Sequence, residues 1–458
     1  MATPEQAQEI PINDLRAELK GEVITPEDPA YDDARQVFFK GYDRRPLAIA
    51  RVADPEDVAR VVTAARESGF ELAVRSGGHS QPGFGTVDGG LVIDLSGMKG
   101  LEIDADNRTA WAETGMTAGE YTLATGERGL ATGLGDTGSV GIGGITLAGG
   151  VGFLARKSGL TIDNLLAAEV VTADGTVVQA SEESEPDLFW AIRGGEGNFG
   201  VATRLQLRLQ EISEIVGGML ILPASEEVIS GFLEAPDAAP EEISTIANVM
   251  IAPPMPFVPA EAHGKPIVMA LMAYVGPPDQ AEGAIAPFRA LGEPYADMLR
   301  PMRYPELYEG PEQEPRFSMT ANFFADSLEP ARAEAILEQL PQSTAMMKAV
   351  QLRVLGGGLA RVPNDATAFA HRDRRMMVNV AAIYMDEGEK GKHASWVNGL
   401  ADSLGKDGAG GYVGFLSDVD EATIRAAYPG PTWDRLREIK RRYDPDNLFH
   451  LNHNIPPA

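Results

Sequence analysis

Two glycine-rich stretches constrain this chain more than anything else in it: RSGGHS at residues 75–80 and GLGDTGSVGIGGITLAGGVGF at 133–153. Glycine admits positive φ and lets backbone N–H groups approach a neighbour with no Cβ in the way. Successive N–H groups in such turns form a nest that attracts phosphate oxygens. Two loops of this kind can grip a pyrophosphate from both sides, or each can be a tight turn between closely packed strands. RSGGHS adds a histidine directly behind its glycine pair. Phosphate binding alone would need only the glycines.

The common glycine-loop templates fit poorly. Gly141, Gly143 and Gly144 do not read as opening a helix after a strand with an acidic residue about 20 positions on, as the dinucleotide fingerprint requires. No Gly-Lys-Ser/Thr follows either stretch, so a P-loop is also excluded.

Around these loops the pattern alternates helix and strand. DPEDVARVVTAARESG (54–69) predicts a helix capped by Asp54, with Pro55 at its first position and Gly69 as its stop. Strands are predicted over 70–75 and 90–96, and a capping-box helix from Thr117 to about Gly129. A hairpin over 167–181 turns at Asp174-Gly175, a short helix covers 185–194, and a strand covers 199–209. After residue 212 glycine motifs thin out, and longer amphipathic helices alternate with strands such as 376–385 and part of 412–418. The last helix starts at Trp433, stops before Pro445 and leads into a tail. The layout is an α+β domain over 1–212, a second domain over 213–420, and a segment 421–458 that returns to the first.

At 458 residues the chain is long enough for two or three domains. Its formal net charge of −28 opposes nucleic acid and anionic membrane as partners, and reads as a solvated surface. No cysteine is present, which excludes disulfides, thiolate nucleophiles, zinc–thiolate sites and cysteinyl attachment of a cofactor. No metal site is expected. The N-terminus lacks the basic start and apolar run of a signal peptide, and no stretch approaches a membrane span. The expectation is a cytoplasmic protein, monomer or homodimer.

Four ordered motifs then carry a resemblance: RSGGHS, TGSVGIGGITLAGGVGFLARKSGLTIDN, DLFWAIRGGEGNFGVAT and YDPDNLFHLNHNIPP. Together they resemble the berberine bridge enzyme-like oxidases of the vanillyl-alcohol oxidase/p-cresol methylhydroxylase (PCMH) superfamily, closest in pattern to singly attached members of the 6-hydroxy-D-nicotine oxidase type. The resemblance implies a two-domain PCMH-type FAD-binding fold whose substrate domain is an antiparallel sheet covered by helices. It implies that His79 is bonded to the 8α carbon of FAD, which accounts for an imidazole behind the glycine pair. A plain turn residue is what His79 would be without it. By the same resemblance Arg75, Ser76, Gly77, Gly78, His79 and Ser80 wrap the pyrophosphate, and Gly138, Ser139, Gly141, Gly143 and Gly144 close from the other side. Val201 meets the adenine edge through its backbone, and Asn452 reaches the flavin ring from the tail.

Three departures from the family pattern matter. Thr137 stands where doubly attached relatives carry a cysteine, so attachment is expected through His79 alone. Ile145 replaces a histidine near the ribityl chain. Val140 lies where a valine leaves room for dioxygen, or else simply packs. The YxNY motif whose second tyrosine is the base in alcohol oxidation reads YVGF here, with Phe415 at the base position. An alcohol must lose its hydroxyl proton as hydride leaves, whereas a neutral amine needs no such base. The implied activity is therefore an FAD oxidase acting on a C–H next to nitrogen, with a small, largely apolar substrate and O2 as acceptor giving H2O2. An alcohol, sugar or polyketide oxidase or dehydrogenase using Tyr412, which strand alternation would put on the face opposite Phe415, or Tyr384 stays open, as does a non-catalytic flavin-binding protein. His371 and Arg372 read as loop-pinning residues. Met250, Met255, Met319, Met376 and Met377 read as core or as an adaptable pocket wall.

Overall fold

The computed structural model describes residues 12–212, 214–309, 316–406, 410–417 and 420–458. Local chemistry accounts for the first elements. The helix Pro55–Ser68 starts where the Asp54 carboxylate accepts from the Asp57 N–H, and it ends on Gly69 at φ 67°. Its Val58, Val61, Val62 and Ala65 are buried against a four-stranded sheet ordered Glu22–Ile24, Ala48–Arg51, Leu91–Asp94, Leu72–Arg75. Each buried valine contributes roughly 1.5–3 kcal/mol. A parallel arrangement of Ala48–Arg51, Leu91–Asp94 and Leu72–Arg75 brings the carboxyl ends of these strands, and hence RSGGHS, to one edge.

A second, antiparallel sheet is ordered Leu101–Asp104, Thr109–Glu113, Val201–Arg208, Leu165–Val171, Val177–Ser181. Its last hairpin turns at Asp174-Gly175 as expected, with Gly175 at φ 84°. The third sheet has eight strands, all antiparallel. Its order is Ala296–Asp297, Ile215–Pro223, Pro266–Tyr274, Ile243–Ile251, Met347–Val354, Met376–Tyr384, Phe317–Ala325, with Arg300–Met302 beside Ile215–Pro223. One face packs Val350, Leu352, Val378 and Val380 under the helices Glu226–Ala238, Ala281–Arg289, Pro330–Gln339 and Lys390–Ser403. The alternate residues point the other way, and Met377 and Phe324 join Leu147 and Val151 of the second glycine stretch in one core. The large sheet therefore lies over that stretch.

Three local expectations are corrected. A helix, Ile142–Ala148, does open at Gly141, preceded by a turn rather than a strand. The segment beginning at Tyr412 is not a strand: Val413–Phe415 is a 3-10 turn, and residues 418 and 419 lie outside the described residues. A 3-10 turn has three residues per turn, so positions three apart share a side. The Tyr412 and Phe415 rings accordingly stand edge to face, 5.3 Å apart, instead of on opposite faces. The last helix, Pro431–Tyr443, begins two residues before Trp433, with proline at its first position.

Candidate active site

The strand Leu72–Arg75 delivers RSGGHS, and Arg75 anchors it. Its guanidinium donates to Asp94 (3.1 Å) and to the Gln36 carbonyl (3.1 Å). The side chain is thus tied into the fold. Ser76 Oγ donates to the Thr114 carbonyl at 2.5 Å, and Gly78 sits at φ 70° with its carbonyl accepting from the Phe38 N–H at 3.1 Å. The two glycine stretches meet backbone to backbone. A Cβ on Gly77 would lie 2.2 Å from the Gly141 nitrogen, and one on Gly141 would lie 2.1 Å from Ser76 Oγ. Gly143 packs against Thr114, whereas a Cβ on Gly144 would meet nothing within 4 Å. The Gly138 and Val140 carbonyls accept from Gly119 and Ala118 (2.8 Å each), which ties this turn to the helix capped by Thr117.

His79 closes the first loop half-buried, stacked on Phe38 with ring centroids 3.8 Å apart. Burial pulls its imidazole down to about 4, against a hydrogen bond with the Ser139 backbone that acts in the opposite direction. At neutral pH the ring is therefore uncharged, the form in which a nitrogen lone pair is available for bonding. Ser139 belongs to the second glycine stretch, so His79 bridges both loops.

The tail is held here by a buried knot. Lys440 Nζ donates to Asp444 (2.6 Å) and to the carbonyls of Asn198 (2.7 Å) and Phe449 (2.8 Å). Asn198 in turn donates to the His453 carbonyl and accepts from the Ile455 N–H. Glu196, in a left-handed conformation at φ 57°, pairs with His453 Nδ1 at 2.9 Å. Asn452 Nδ2 donates to the Phe449 carbonyl, while Asn452 Oδ1 and Asn454 Oδ1 are buried with no partner. Val201 begins the strand Val201–Arg208 and is buried beside Ala173 and Phe449.

Over the second glycine stretch, the large sheet presents polar groups. Asn248, Gln351, Asn379 and Asn322 are direct cross-strand neighbours, one on each of four adjacent strands. Asn322 holds Tyr412 by both backbone groups (2.6 and 3.3 Å). Arg353, on the same face, pairs with Asp136, donates to the Val151 carbonyl and stacks over Phe415 at 5.1 Å. Sequence reasoning missed this row. The only signal is a single amide interrupting each apolar run, in IANVM, VQLRV, MVNVAA and TANFF.

The two tyrosines considered as bases are placed differently. Tyr412 accepts from the Gly150 N–H at 3.0 Å, and burial pushes its phenol up to about 12. Tyr384 points to the helix-bearing side of the sheet, stacked between Phe317 and His393, and burial raises it too. The structure brings Tyr412 to the glycine cradle and does not bring Tyr384 there. Thr137 donates to its neighbour Asp136, and Val140 is half-buried. Arg372 forms a two-pronged pair with Asp163 (2.9 and 2.7 Å), and His371 bonds the Ala427 carbonyl, so both pin loops as expected. Met250 and Met255 cluster beside Ala349 on the face over the cradle, while Met319 and Met376 face the helices. Among the described residues no group of His, Asp or Glu is arranged to hold a metal ion, and no helix is long and apolar enough to cross a membrane.

Residues 46–181 match the family described as FAD binding domain, and residues 411–456 match the family described as berberine and berberine like. The chain is 33% identical over 455 residues to the (R)-6-hydroxynicotine oxidase of Paenarthrobacter nicotinovorans, covering 96% of this chain and 97% of that one. It superposes on the crystal structure of 6-hydroxy-D-nicotine oxidase from Arthrobacter nicotinovorans with a TM-score of 0.85 at 30% identity, covering 96% and 99% of the two chains. Glucooligosaccharide oxidase of Acremonium strictum, with a 6-S-cysteinyl, 8α-N1-histidyl FAD, shares the fold at a TM-score of 0.85 and 24% identity, covering 98% and 99%. The residues present suit an FAD. Backbone-lined glycine loops meet at Gly77 and Gly141, open space lies above Gly144, and partnerless amide oxygens stand in the tail. With two family matches and a relative aligned along nearly its whole length, the chain belongs to the berberine and berberine-like FAD-linked oxidoreductases and has their PCMH-type fold.

Proposed function

We propose that this enzyme is an oxidase with a single covalent attachment of FAD, through His79, that oxidises a small, largely apolar amine at a C–H next to nitrogen. When bound, FAD supplies the hydride acceptor, and its return to the oxidised form by O2 yields H2O2. The observation that carries the amine reading is the state of the aromatic residues beside the cradle. Phe415 accepts no proton. Tyr412, with its phenol buried, pushed up to about 12 and bonded to the Gly150 N–H, stays protonated at neutral pH. A substrate that needs a base to remove a hydroxyl proton is poorly served, while an amine arriving neutral is not. The relative named for oxidation of (R)-6-hydroxynicotine, an amine, supports the same choice.

The chain's own residues supply attachment, binding and orientation. The neutral His79 imidazole offers a lone pair, and Phe38 and the Ser139 backbone hold its ring plane. The backbones of Arg75–Ser80 and of Thr137–Gly144 are proposed to enclose a pyrophosphate. The Val201 backbone is proposed to meet the adenine and Asn452 the flavin ring. Val140 is proposed to leave room for O2. The substrate lies between this cradle and the large sheet, where Tyr412 positions the Gly150 turn. Such orientation supplies much of an enzyme's rate enhancement.

The test is acid precipitation of the purified protein. Yellow colour is expected to stay in the pellet for the wild type and to leave it in His79→Ala. An amine panel read by peroxide release then decides the substrate class. Release of the flavin to the supernatant by the wild type overturns the attachment, and turnover of alcohols but not amines overturns the amine reading.

A further inference from the structure

The second side-chain torsion of a histidine is broad, so an imidazole left to itself does not hold its nitrogens in one direction. Around His79 the direction is set from outside, by a segment that belongs to neither glycine stretch. Residues 36–40 form no helix or strand, yet they touch RSGGHS at three points. The Gln36 carbonyl accepts from Arg75 at 3.1 Å, and the Phe38 N–H donates to the Gly78 carbonyl at 3.1 Å. The Phe38 ring lies face-on to the His79 ring, with centroids 3.8 Å and planes 20° apart.

The far end of this segment is anchored on the large sheet. Phe39 forms a parallel bridge with Arg316, and the Lys40 N–H donates to the Arg316 carbonyl at 3.0 Å, directly before the strand Phe317–Ala325. The Phe39 ring stands edge to face with Phe38 at 4.9 Å and with His79 at 6.5 Å. Phe38 is thus fixed by its own backbone and by its neighbour, and the ring it covers most closely is His79. A face-on stack opposes rotation of the imidazole about its Cβ–Cγ bond but leaves uncovered the ring edge on which both nitrogens lie. The Ser139 backbone meets that edge from the second glycine stretch.

Resting on the attachment reading above, we infer that Phe38 is a positioning residue for flavin attachment, whose ring fixes the plane of His79 so that one imidazole nitrogen stays aligned with the 8α carbon. Attachment exchanges one 8α C–H of the flavin and the imidazole N–H for a single C–N bond. The two electrons and two protons set free pass to O2, which leaves as H2O2. Only a nitrogen held in line reacts efficiently, and the stack narrows the imidazole to that orientation. An aromatic pair of this kind favours its stacked arrangement roughly two- to tenfold, and attachment slows by about that factor when the flat face is lost.

The experiment follows attachment in time. Full-length chain produced in riboflavin-starved cells is mixed with FAD, and samples are split between gel filtration, which reads total bound flavin, and acid precipitation with mass spectrometry, which reads the attached fraction. Phe38→Leu, which keeps apolar bulk without a flat face, is expected to bind as much flavin as the wild type but to attach it roughly two- to tenfold more slowly. Phe38→Tyr, which keeps the ring, is expected to restore the wild-type rate. Attachment by Phe38→Leu at the wild-type rate, or a Phe38→Tyr variant as slow as Phe38→Leu, overturns the role of Phe38 alone. A Phe38→Leu variant whose bound and attached flavin fall in the same proportion assigns Phe38 to the fold and overturns it too. Wild-type chain that binds flavin but never makes it acid-stable overturns the attachment reading and this inference together.

Discussion

Removing the lysine from the tail knot tests how the C-terminal segment is held. Lys440 and Asp444 have no exposed side-chain surface, and the Lys440 ammonium satisfies three acceptors at 2.6–2.8 Å. Lys440→Met keeps much of the volume and removes the charge. It leaves the Asp444 carboxylate with the Leu448 and Phe449 N–H groups, both at 2.8 Å, and strips the Asn198 and Phe449 carbonyls of their donor. Deleting one partner of a buried pair costs about 3–5 kcal/mol. At about 1.4 kcal/mol per tenfold, opening of the tail becomes roughly a hundredfold to a few thousandfold more frequent. Hydrogen exchange read by mass spectrometry over residues 444–455 should show that loss of protection, concentrated where the Ile455 N–H leaves Asn198 Oδ1. The double variant Lys440→Met/Asp444→Leu removes the stranded charge as well and should regain most of the protection. A change below tenfold in the single variant, or a double variant no better than it, refutes the argument that charge pairing holds the tail.

Two further outcomes follow from the cradle. Gly77→Ala places a methyl 2.2 Å from the Gly141 nitrogen and should cost about 1–3 kcal/mol or more by forcing the loops apart. Gly144→Ala meets nothing within 4 Å and should stabilise its helix by up to ~1 kcal/mol while lowering flavin content; thermal unfolding and the flavin-to-protein absorbance ratio separate the two effects. For Asp94, burial by itself raises the carboxyl, but the Arg75 guanidinium and the Ser96 N–H outweigh it and leave the group below its ordinary value. Its contribution is therefore complete above the unfolded-state pKa of about 3.9 and is lost as pH falls through the depressed folded value. The stability difference between wild type and Asp94→Asn should shrink as pH drops from 6 towards 3, and a pH-independent difference would falsify this.

Much of the cradle was legible because its causes are local. Asp54 and Gly69 bracket a helix through their own backbone geometry, Thr117 and Glu120 form a capping box within one turn, and Gly78 is left-handed within its own dipeptide. The Tyr412 segment was misread for an equally physical reason. YVGF alternates like a strand, yet Asn322, 90 residues earlier, takes both backbone groups of Tyr412 and leaves none for a ladder. The helix at Ile142 escaped notice because glycines at its second and third positions argue against a helix locally, while packing of Ile142, Leu147 and Ala148 in the core favours it.

The sequence by itself determined the order of the motifs, the family they imply, and the contacts made within a few residues. Tertiary structure decided which side chains share the site. Asn248, Gln351, Asn379 and Asn322 become neighbours only through strand register, and a slip of one residue would turn each to the opposite face. Register between strands so far apart in the chain follows from packing of the whole sheet against its helices and the glycine stretch. No local pattern carries it.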